Sequence, residues 1–81
     1  MRIISQNGKF DLPYENLAIF VEYENVIARF ENERYLLGQY SSEAKAIKAM
    51  EMLRKAWKFE TGIYHRNIIF QFPQDDDERL N

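Results

Sequence analysis

The chain has 81 residues, a formal net charge of −2, no cysteine and one histidine. Disulfide staples and a Cys/His zinc site are therefore excluded, and the length allows one domain with one core. A chain this short buries only about 60–65% of its unfolded surface, so it needs dense apolar burial or self-association. Six Phe, five Tyr and one Trp supply the first.

The opening "RIISQNGKFDLP" places Asn7-Gly8 between two apolar runs. That dipeptide suits a type I′ turn, so the pattern predicts a hairpin of residues 3–6 with 9–12, ended by Pro13. In "LAIFVEYENVIARFENERYLLGQY", Ile19, Val21 and Tyr23 alternate with Phe20, Glu22 and Glu24. Val26, Ala28 and Phe30 then alternate with Ile27, Arg29 and Glu31, and Tyr35 and Leu37 with Leu36 and Gly38. Two-residue alternation broken by Asn-containing turns predicts an antiparallel meander of three strands. Gly38 inside its strand marks a bulge or a close approach, for which Trp57 is the candidate neighbour.

At "SSEAKAIKAMEMLRKAWKFETG" the period becomes helical. Ser41 or Ser42 can cap the start, Glu43 suits the first turn, Lys55 and Lys58 suit the last, and Gly62 suits the stop. "NIIFQFP" is a final strand. The predicted architecture is α+β: an antiparallel sheet of five or six strands with one helix across a face. It forms a single domain over residues 1–73, and the charged tail 74–81 has no apolar pattern and is expected to be disordered.

Charge is segregated along the chain. Residues 1–43 balance at −3, residues 44–70 at +4 and residues 71–81 at −3. The basic middle is too weak for general DNA binding but sufficient to hold a small anion. No apolar run of membrane-spanning length occurs, and "MRIISQ" lacks a signal-peptide core, so a cytoplasmic location is expected.

On a helical wheel, Ala46, Met50, Leu53 and Trp57 share one face, with Ile47 at its edge. They form the expected core stripe, anchored by Trp57. The opposite direction gathers Lys45, Lys48, Met52, Lys55 and Phe59. Three readings of that basic face compete. Met52 and Phe59 are scattered surface apolar groups, or they form the apolar centre of a protein–protein contact rimmed by lysine stems. In the third, the lysines meet phosphate while Phe59, Tyr64 or Arg66 stack on a base. "YHR" adds His65 and Arg66 as a compact phosphate corner. His65 has no Ser or Cys signature beside it, so no catalytic residues are expected. The run "DDDE" lacks the spacing and glycine of a calcium loop, and no metal or cofactor is expected.

Taken together, "MRIISQNGKFDLPYE", "YSSEAKAIKAMEMLRKAW" and "FQFPQDDDE" resemble a group of small proteins encoded in phages and prophages of Gram-positive bacteria. The likeness covers the first hairpin, the helix and the last strand with its tail, and leaves out the meander. The resemblance implies a non-enzymatic accessory protein of counter-defence in the host cytoplasm. One form would capture a nucleotide-type immune signal at Lys45, Lys48, Lys55, Phe59, Tyr64, His65 and Arg66, in a homo-oligomer. The other would inhibit or adapt a host protein through Met52 and Phe59.

Overall fold

Alternating side chains make strands in the first half, and a single helical stretch follows them. The computed structural model describes residues 1–61 and 69–81, apart from the side chains of 59–61. In chain order the elements are β1 (Arg2–Ile4), β2 (Asp11–Pro13), a 3-10 turn (Tyr14–Asn16), β3 (Ala18–Glu22), β4 (Asn25–Phe30) and β5 (Glu33–Gln39). After these come α1 (Glu43–Thr61), β6 (Ile69–Gln71) and a second 3-10 turn (Glu78–Leu80). The protein is α+β, as expected, but its six strands form two sheets, β2-β1-β6 and β3-β4-β5, where one antiparallel sheet was predicted. In the first, β1 pairs antiparallel with β2 and parallel with β6.

The meander β3-β4-β5 is the predicted one, with its turns moved. Tyr23 and Glu24 make the first turn, because Glu22 pairs with Asn25, and Tyr23 takes a positive φ of 57°. Glu31 and Asn32 make the second, both at positive φ (49° and 69°), as a type I′ turn requires. Ile19, Val21, Val26, Ala28, Tyr35 and Leu37 point to the core. Phe20, Ile27 and Leu36 are cross-strand partners on the other face. There the Arg34 guanidinium lies 5.7 Å from the centre of the Phe20 ring and reaches Glu22 at 2.8 Å, a charged cover over apolar surface.

Gly38 does mark a bulge, since Val26 pairs with Gly38 while Ile27 pairs with Leu36. The close neighbour is Tyr40, however, not Trp57: a Cβ at position 38 would stand 2.7 Å from the Tyr40 ring. Burial, with Asp75 and Asp77 nearby, pushes the Tyr40 phenol well above its ordinary pKa. It therefore stays protonated and donates to the Pro73 carbonyl at 2.9 Å.

The first hairpin is looser than a type I′ turn. Only Gly8 has positive φ there (75°), and the Gly8 amide donates to the Ser5 carbonyl. Ser5 is fully buried; its hydroxyl donates to Asn7 Oδ1 and accepts from the Phe10 amide. Next to it, Gln6 fastens the two sheets together. Its amide donates to Leu37 O, and its side chain accepts from Gln39 N and donates towards Gln39 O and Pro73 O. One side chain thus ties β1, β5 and the strand leaving β6.

Helix α1 lies across the core on Ala46, Ala49, Met50 and Leu53, all buried. Ser42 caps it, with Oγ accepting from the Lys45 amide. Residues 74–81, expected to be disordered, instead pack against α1, and Leu80 enters the core at 3% exposure. Asp75 accepts from the Ser41 amide at 2.8 Å, and Asp77 caps the last 3-10 turn. A charged stretch without periodicity gave no sequence signal for this, because one apolar side chain and two carboxylate caps hold it.

Candidate functional site

The helix carries two hollows, one on each flank, because its core direction is turned towards Ala49. Counting about 100° per residue from Ile47, Ala49, Leu53, Ala46 and Met50 fall at about 200°, 240°, 260° and 300°. Met52, at about 140° on the same count, lies on a flank rather than opposite the core. It is half-buried and packs against the core cluster, which removes it from a fully outward face. Ile47, placed at the core edge from the sequence, is 42% exposed.

The first hollow, about 430 Å³, lies on the Met52 flank and is lined by Met52, Lys55, Ala56, Phe70 and Arg79. Met52, Ala56 and Phe70 give it an apolar floor, and Phe70 is held edge-on to Phe72 with ring centres 5.2 Å apart. Lys55 is exposed at its rim. Arg79 is oriented by a fork of hydrogen bonds to Asp77 (2.9 and 2.7 Å), which also holds the Asp77 carboxyl down at about 2. Lys55, with Arg79 already paired to Asp77 beside it, can hold an anion joined to a planar or apolar group on this aromatic and thioether floor. This arrangement offers no nucleophile paired with a base.

The structure brings only part of the expected site together. Lys55 and Met52 meet in this hollow, and Lys48 is exposed on the same side of α1. Lys45 is committed elsewhere: its ammonium donates to the Asp75 carbonyl at 2.8 Å, and its side chain is only 24% exposed. Tyr64, His65, Arg66 and the Phe59 side chain lie outside the described residues. Phe70 and Arg79 were missed. Phe70 had a signal in the alternation of "IIFQF", but Arg79 sat in a tail with none. Among the described residues, no group of three His, Cys, Asp or Glu is placed to hold a metal, and no helix is long and apolar enough to cross a membrane.

The second hollow, about 490 Å³, lies between α1, the Tyr14–Asn16 turn and β3. Leu17, Ile19, Met50 and Leu53 line its depth, and Tyr14 and Trp57 form a wall with ring centres 4.8 Å apart at 36°. Trp57 is thus half-buried against Tyr14, where the sequence reading made it a core anchor. At the mouth stand Glu15, which takes the Met1 ammonium at 2.8 Å, and Arg54. The Arg54 side chain is exposed and makes no hydrogen bond or ion pair among the described residues.

These features define a small α+β fold with two open hollows beside α1. The chain matches no protein-family model, no curated protein and no solved structure.

Proposed function

We propose that this chain is a non-catalytic phage or prophage accessory protein of counter-defence that captures a nucleotide-type signal in the host cytoplasm. The observation that carries the reading is the Met52–Phe70 hollow. It sets the exposed Lys55 beside an apolar, aromatic floor, the pairing that phosphate and base together require, with the Asp77-paired Arg79 at its edge. Lys48 extends the positive side along the helix. The resemblance of the hairpin, helix and tail to small phage proteins supports the biological setting.

The test is a melting-temperature panel of cyclic dinucleotides and nicotinamide-derived nucleotides. A ligand at a hundred times its Kd adds about 2.7 kcal/mol of stability, and each kcal/mol moves a domain of this size by about 4–8 °C. Lys55→Glu, an exposed change, should erase the shift without altering the melting of the free protein. Heating the complex should release the nucleotide intact, since capture leaves every bond in place. If no nucleotide shifts the melting temperature, the reading fails in favour of a host-protein partner at the same flank. Loss of a pull-down in Met52→Glu would then support that partner.

A further inference from the structure

Two exposed features of the described residues are complementary in shape and charge. The first is Tyr23, at the tip of the β3–β4 turn. It is 75% exposed, the most exposed large apolar side chain among the described residues. Its φ of 57° belongs to the left-handed region, which a bulky residue avoids and glycine occupies freely. The turn is held rigidly, since Glu22 pairs with Asn25 and the Tyr40 amide donates to the Glu24 carbonyl at 3.0 Å. A strained backbone therefore displays an aromatic ring to solvent, with the exposed Glu24 beside it.

The second is the Tyr14–Trp57 cleft, about 490 Å³, apolar in its depth and aromatic along one wall. Its mouth is electrically one-sided. Glu15 is already neutralised by the Met1 ammonium, whereas Arg54 has no partner among the described residues. The cleft thus asks for an aromatic group with a neighbouring negative charge, which is what the Tyr23–Glu24 turn offers. Tyrosine suits such a seat because its ring buries apolar area at little entropic cost while its hydroxyl stays hydrogen-bonded at the rim.

We propose that Tyr23 of one copy of this chain seats in the Tyr14–Trp57 cleft of a second copy, with Glu24 beside Arg54. Knob and cleft are different patches, so a two-fold exchange closes a dimer, and any other rotation makes a ring or an open chain. The contact accounts for the strained turn and the exposed arginine together. It is independent of the nucleotide reading, which concerns the other flank of α1.

The test uses the intact protein. Trp57 is the only tryptophan, so its emission reports filling of the cleft. Light scattering and Trp57 emission, followed from micromolar to millimolar concentration, should change together. Tyr23→Gly should leave a monomer at every concentration, yet raise the melting temperature of the dilute protein because the turn loses its strain. Arg54→Glu should weaken association by at least about tenfold through charge repulsion, and adding Glu24→Lys in the same chain should restore it. The proposal is overturned if the wild-type protein runs at 9.8 kDa up to millimolar concentration. An oligomer whose mass and Trp57 emission ignore both Tyr23→Gly and the charge exchange would overturn it equally.

Discussion

The two sheets have three strands each, but they close over very different lengths of chain. In the meander, each strand pairs with the next across a two-residue turn. In the other sheet β1 stands between β2 and β6, so Ile3 pairs with both Leu12 and Phe70. The first sheet is local and its register follows from alternation and turn chemistry. The second must bring the two ends of the chain together, and its strands are only three residues long. It is held by groups outside its ladders: Gln6 and the Tyr40 hydroxyl bond the Pro73 carbonyl, and Leu80 packs in the shared core. Short strands with long closure need fastenings, and long strands with tight turns do not.

That contrast gives an ordered set of tests. Leu80→Ala should be the most damaging, costing about 2–5 kcal/mol as a core truncation. Urea unfolding should show the whole protein weakened, because Leu80 belongs to the same core as the meander. Gly38→Ala comes next. Its Cβ would stand 2.7 Å from the Tyr40 ring, and the resulting shift of a packed side chain should cost about 1–3 kcal/mol. An unchanged melting temperature would show that the junction of the sheets can give way freely.

Acid should act on the tail before the meander. Hydrogen bonds from Arg79 hold Asp77 at about 2, and the Ser41 amide lowers Asp75 from its ordinary value. Groups with depressed native pKa values contribute fully above the ordinary carboxylate range, about 4, and lose that contribution as pH falls towards 2. Amide protection factors at Ser41 and Leu80, taken against the intrinsic exchange rate, should therefore fall in that window. Asp75→Asn with Asp77→Asn should make it flat. The smallest effect is expected in the meander: Asn32→Gly puts glycine at a φ of 69° in the second turn and should raise the melting temperature only slightly, as a thermal scan would read.

The same contrast explains what could be read from the sequence. Val26, Ala28, Tyr35 and Leu37 announced their strands and their inward face through period two. The pair Ser41–Ser42 announced the helix start, and Gly38 a bulge or a close approach. The parallel pairing of β1 with β6 left no such mark, because neither the three residues of "RII" nor those of "IFQ" carry information about a partner so distant. The helix wheel erred by one flank. Alanines count for little in a hydrophobic pattern, so Ala49 went unread as the centre of contact and Met52 was pushed outward. Half of the candidate site was therefore visible as Lys55 and Met52. The other half, Phe70 and Arg79, depends on where the chain's last strand and turn come to rest.

Gln6 also sets the order of events when the protein is made. The carbonyl of Pro73 that it bonds lies 67 residues further along the chain, just after its partner strand β6. At about 5–20 residues per second, translation takes on the order of ten seconds to reach them. Until β6 is made, the β1 edge that it covers has no partner strand. The meander can form on the ribosome, whereas the first strand waits for the last.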